Sequence, residues 1–83
     1  MKDALTYLLK QIVAKEDELS VSEEDLGNGN VALSVSVAAE DMGKVIGRGG
    51  KIIKSLRNLI RIIAVKQQKR VEIILNESTG QKG

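Results

Sequence analysis

Four consecutive residues, Gly47-Arg48-Gly49-Gly50, combine bare backbone with a cation in this 83-residue chain. Glycines without Cβ atoms let another chain approach the main chain closely. Amide groups at the start of a following helix favour phosphate, and Arg48 projects a positive charge from the tip of the turn. Two common phosphate loops do not fit these residues. A Walker A loop ending at Gly50-Lys51 would need glycine at Val45 and serine or threonine at Ile52. A dinucleotide fingerprint beginning at Gly47 would need a third glycine at Ile52, and a strand where Lys44-Val45-Ile46 reads as helix. What remains is a Gly-x-x-Gly turn between two helices, suited to a sugar-phosphate backbone.

The charge around the loop points the same way. Residues 1–43 hold three lysines against nine acids, whereas residues 44–70 hold nine cations and no acid. The net charge of +2 conceals this asymmetry. Such a stretch is the electrostatic footprint expected for a polyanion. Its members are Lys44, Arg48, Lys51, Lys54, Arg57, Arg61, Lys66, Lys69 and Arg70. The last three lie far from the loop and read as solvated charges adding long-range attraction.

Catalysis finds no support. With no His and no Cys, a nucleophile would have to be Ser, Thr, Lys or a carboxylate. Ser34 and Ser36 read as solvent-facing strand positions with no base nearby in sequence. Glu23-Glu24-Asp25 reads as a solvated turn, able at most to bind a cation weakly. No acid–base pair, metal-ligand set or cofactor motif is present in the sequence. There is no 18-residue apolar run, and Met1-Lys2-Asp3 does not begin a signal peptide, so a cytoplasmic protein is expected, without a membrane partner.

The elements that must position the loop follow from periodicity. Leu5, Leu8, Leu9, Ile12 and Val13 form one helical stripe, which predicts a helix over 2–14. Leu19 and Val21, then Val31, Leu33, Val35 and Val37, alternate with small or polar residues as in strands covered on one face. Gly27-Asn28-Gly29-Asn30 between them is turn chemistry. A short helix over 40–46 carries Glu40 and Asp41 in its first turn, where the helix dipole favours them. A longer helix over 51–67 and a strand at Val71, Ile73 and Leu75 complete one domain over 1–77. Residues 78–83 read as a flexible C-terminal tail. The last strand is expected parallel to the second, since two helices and a right-handed crossover separate them.

At this point the segment Val45-Ile46-Gly47-Arg48-Gly49-Gly50-Lys51-Ile52-Ile53 resembles the Val-Ile-Gly-x-x-Gly-x-x-Ile signature of the KH family. The order α-β-β-α-α-β matches the family's type II arrangement; type I would need two further strands and a helix after the long helix. The resemblance implies an α+β fold, a three-stranded mixed sheet with three helices packed on one face. It covers nearly the whole chain and is strongest for small single-domain bacterial KH proteins of the KhpA type. Those proteins often begin the short helix with proline, where this chain has Ala39. In KH domains the loop clamps about four single-stranded nucleotides. By position, the resemblance implies backbone contacts at Gly47, Arg48, Gly49 and Gly50. Lys44, Lys51, Lys54 and Arg57 would extend the phosphate path, and Val45, Ile46 and Ile53, with Val35 or Val37, would line a base groove. The near absence of aromatics, Tyr7 alone, argues against single-strand binders that stack bases on rings. The expected function is single-stranded RNA binding with low sequence specificity, as an RNA chaperone or post-transcriptional regulator. The competing reading is a dimerising scaffold on which RNA contact is incidental.

The long helix carries a second signal. With Ile52 at zero and about 100° per residue, its apolar residues span an arc from about −80° to about +120°, wider than one sheet needs. Ile62 lies at the edge of that arc and Val65 beyond it among the cations, with Leu59 marginal. Exposure of these three residues is expected, as a candidate dimer surface. The KhpA-type resemblance implies self-association or pairing with a longer KH-containing RNA-binding protein.

Overall fold

A computed structural model describes residues 1–77; the tail expected over 78–83 lies outside the described residues. The elements are α1 (Lys2–Lys10), β1 (Ser20–Gly27), β2 (Asn30–Val37), α2 (Ala39–Ile46), α3 (Lys51–Lys66) and β3 (Arg70–Glu77). Short 3-10 turns occupy Glu16–Glu18 and Arg48–Gly50. The sheet order is β1-β2-β3, with β1 antiparallel and β3 parallel to β2. The result is the α+β arrangement expected, a mixed three-stranded sheet with the helices over one face.

One face of each strand builds the core. Val31, Leu33, Val35 and Val37 of β2 meet Leu5 and Leu9 of α1, Val45 of α2, Leu56 and Ile60 of α3 and Ile73 of β3. Each such side chain contributes roughly 1.5–3 kcal/mol on full burial. The hairpin between β1 and β2 turns on Asn28 (φ 55°) and Gly29 (φ 79°), the left-handed pair that a two-residue type I′ turn requires.

Three sequence expectations are corrected. Helix α1 ends at Lys10 rather than Ala14; Ile12 and Val13 still donate to the Leu9 carbonyl at 2.9 and 3.0 Å, but the chain then departs toward α2. The acids Glu23, Glu24 and Asp25 lie within β1, paired with Leu33, Ala32 and Val31, instead of in a turn. Ladder pairing to an apolar central strand outweighs their poor strand propensity. Val35 and Val37 are fully buried beneath the helices, so neither can line a groove.

Candidate nucleic-acid interface

Helix α2 delivers the chain to the loop. Ala38, Asp41 and Val45 share its inner side, and all three are buried. The Gly47 N–H closes the helix on the Gly43 carbonyl at 2.9 Å, and Gly47 then turns to φ 75°, ψ 171°. No L side chain is at ease there. A Cβ at Gly47 would also stand 2.6 Å from Ile52 Cγ1 and 2.9 Å from the Ile52 nitrogen. Gly49 and Gly50 continue at φ 64° and 77°, both facing open space. The Gly50 N–H donates to the Gly47 carbonyl at 3.1 Å, and the Lys51 N–H to the Arg48 carbonyl. These two amides are therefore spent inside the loop, a correction to the expectation that they point freely at phosphate. The loop offers instead bare backbone, the dipole of α3 and the surrounding cations.

Asp41 is the residue that sequence reasoning undervalued. Its place in the first turn of α2 suits the helix dipole, yet its side chain is inaccessible to solvent. Its two carboxylate oxygens accept the Ala14 and Lys15 N–H groups, each at 3.0 Å. Those bonds hold the carboxyl below the ordinary carboxylate range; burial opposes them, and the Lys44 and Lys15 charges assist. Lys44 Nζ stands 3.8 Å from the same carboxylate, and Lys15 pairs with Glu40 at 3.6 Å. The segment after α1 is thus fastened to the helix that carries the loop. Asp41 and Val45 are four apart, on one helical face, and that spacing was the available signal.

The cations sort themselves along α3. Lys54, Arg57 and Arg61 share one flank at three- and four-residue spacing. Arg57 and Arg61 line a cleft of about 330 Å³ whose other wall is Val71, Glu72 and Ile73 of β3. Because β3 is an edge strand, it presents more than side chains. The Arg70 N–H donates toward β2, to the Gly29 carbonyl at 2.8 Å. Backbone direction alternates along a parallel ladder, so Val71 and Ile73 turn their N–H and C=O groups outward into the cleft. Arg61, Val71 and Ile73 were absent from the sequence-based site, because only the strand order reveals that β3 borders α3.

The other expected site residues divide by burial. Arg48, Lys51, Lys54 and Arg57 are exposed. Ile46 and Ile52, each 37% exposed, flank Gly47. Ile53 and Val45 are both buried in the core, which removes them from the contact set. Among the described residues, Lys44 alone of the nine cations in 44–70 has an acid within ion-pair distance. Leu59, Ile62 and Val65 are 48%, 57% and 67% exposed. Ile62 and Val65, with Asn58, Arg61 and Lys66, line a shallow groove of about 490 Å³ on the outer side of α3.

Comparison with known proteins bears on this geometry. The family model described as "KhpA/KhpB, KH domain" matches residues 2–75. The chain belongs to the KhpA/KhpB KH-domain family. Within it, this KH domain is 45% identical over 73 residues to the RNA-binding protein KhpA of Clostridium acetobutylicum, covering 88% of this chain and 96% of that one. The RNA-binding protein KhpA of Clostridium perfringens is 37% identical over the same shares. That of Chlamydia pneumoniae is 34% identical over 77 residues, 93% of this chain and 97% of the relative. The order α-β-β-α-α-β and the mixed sheet are those of a type II KH fold. No helix among the described residues is long and apolar enough to cross a membrane.

Proposed function

We propose that this KH domain binds single-stranded RNA in the cytoplasm, clamping the sugar-phosphate chain at Gly47-Arg48-Gly49-Gly50 and laying bases in the α3–β3 cleft. The observation that carries the reading is the set of cations without acidic partners bordering a bare-backbone loop. Eight of the nine cations in 44–70 have no acid within ion-pair distance among the described residues. Their mutual repulsion is relieved when a polyanion is bound. Arg48, Lys51, Lys54 and Arg57 hold phosphates, and Ile46 and Ile52 supply apolar surface at the head of the path. Relatives bearing the name RNA-binding protein support the choice of ligand.

Sequence preference is low, because phosphate contacts position a strand without reading it. The outward backbone groups of Val71 and Ile73 read only a donor–acceptor pattern. A general RNA chaperone or post-transcriptional regulator is the role this supports. Weak contacts at one short groove gain from duplication, and the exposed Leu59, Ile62 and Val65 favour a second copy, or a longer KH-containing RNA-binding protein, on the outer side of α3. If RNA contact proves incidental, that surface makes the chain a dimerising scaffold.

Titration of a short mixed-sequence RNA at two salt concentrations tests the clamp, using wild type and an Arg48→Asp/Gly49→Asp variant shown folded by circular dichroism. Four phosphate contacts give a slope of log K against log salt of about −2.8. The variant is expected to lose binding. Equal binding by both proteins would move the assignment to the scaffold.

A further inference from the structure

The cations at the far end of α3 are placed more definitely than solvated charges need be. Helix α3 has 16 residues, so this end lies about 24 Å from the Gly loop along the axis. Lys69 and Arg70 sit on a turn fixed by its own backbone. Gln68 adopts φ 59°; the Lys69 N–H donates to the Ala64 carbonyl and the Arg70 N–H to the Gly29 carbonyl, each at 2.8 Å. Both side chains are exposed.

A second hollow of about 330 Å³ opens here, lined by Leu26, Asn30, Val31, Arg70, Val71 and Glu72. Val71 and Glu72 also line the α3–β3 cleft, so the two hollows meet at the start of β3. The strand register skips Leu26, between the pairs Asp25–Val31 and Gly27–Asn30. That bulge leaves Leu26 51% exposed, an apolar surface at the hollow's wall. Asn30 Nδ2 donates to the Gly27 carbonyl at 3.2 Å, which leaves its Oδ1 free to accept.

We propose that this hollow is a second nucleotide subsite. An RNA strand held at the Gly loop runs along the α3–β3 cleft and rounds the start of β3. There Lys69 and Arg70 take a phosphate, Leu26 covers a base face and Asn30 Oδ1 accepts from a base edge. The inference rests on the clamp reading above and extends it. About four nucleotides are held by a loop of this kind, and at 3.4 Å per stacked nucleotide they cover about 14 Å, short of the helix length. Glu72, an acid in both walls, repels phosphate and accepts from base amino groups. Along the cleft the backbone of the strand therefore passes on the side of Arg57 and Arg61. It reaches Arg70, which shares the outer face of β3 with Glu72, only where it rounds the start of β3.

The test compares a tetranucleotide with an octanucleotide of mixed sequence, read by titration and by amide NMR shifts. An octanucleotide offers a four-nucleotide site about five registers, a gain of about five-fold without any new contact. The subsite predicts a gain at least about tenfold beyond that, with the Leu26, Asn30, Lys69 and Arg70 amides shifting only with the longer strand. In a Lys69→Ala/Arg70→Ala variant the gain returns to about five-fold, tetranucleotide affinity is kept, and the octanucleotide salt slope weakens by about 1.4. A five-fold wild-type gain that the variant shares would overturn the subsite and leave the clamp standing. Equal weakening of both oligonucleotides by the variant would also overturn it, since the cations would then act only as a diffuse field. Normal binding of both by Arg48→Asp/Gly49→Asp would remove the clamp itself.

Discussion

Gly47 and Gly50 look interchangeable in the signature, yet the structure assigns them different costs. Both have positive φ, 75° and 77°. Gly50 has ψ 15°, the left-handed region that an L residue enters at about 1–2 kcal/mol, and a Cβ there meets nothing within 4 Å. Gly47 has ψ 171°, a region essentially restricted to glycine, where strain is of order 1–3 kcal/mol. Its Cβ would in addition overlap Ile52, at 2.6 and 2.9 Å from side-chain carbons and 2.9 Å from the backbone nitrogen. The nitrogen belongs to the first turn of α3 and cannot swing aside as a side-chain end can. Gly47→Ala is therefore expected to lose about 2–4 kcal/mol, against about 1–2 kcal/mol for Gly50→Ala. In a domain of this size each kcal/mol lowers Tm by about 4–8 °C. Urea denaturation of both variants, followed by RNA titration where both are folded, is the measurement. Binding should be lost in Gly47→Ala, because relief of the overlap opens the loop. If Gly47→Ala is no less stable than Gly50→Ala, the close approach of Ile52 is not what requires glycine, and this reasoning fails.

Asp41 and the outer side of α3 give two more predictions. The carboxyl of Asp41 is lowered from 3.8 in the fold, so it contributes stability above its unfolded value, and that contribution disappears as pH falls through the folded one. A pH series of urea midpoints should show this acid loss in wild type and not in Asp41→Asn, which should also be the less stable at neutral pH; parallel curves would refute the role. Ile62→Asp lies on an exposed position, so its stability should stay within about 0.5 kcal/mol of wild type. Its mass by light scattering should be that of a single chain where wild type is larger, and equal masses would count against a dimer surface.

Much of this protein was legible in the order of its residues. Period-two alternation in Val31–Val37 and helical spacing in Leu5–Leu9 are local patterns, and a buried face imposes them directly. The Gly47–Gly50 loop was legible for the same reason, since left-handed turns and Cβ-free approach are properties of the residues themselves. The charge block over 44–70 and the excess apolar arc of α3 likewise needed no coordinates. The β1 acids misled because strand propensity yields to pairing with a partner strand. The anchoring role of Asp41 is not local, because its partners, the Ala14 and Lys15 amides, are 27 and 26 residues away. The second wall of the cleft was invisible for a related reason. That Val71 and Ile73 turn backbone groups toward Arg57 and Arg61 depends on β3 being the edge strand, and that Leu26 meets Arg70 depends on three strands in register. Local periodicity determines which elements form and which face each buries; only the packed sheet decides which distant residues share a wall, because that choice is made by contacts between segments.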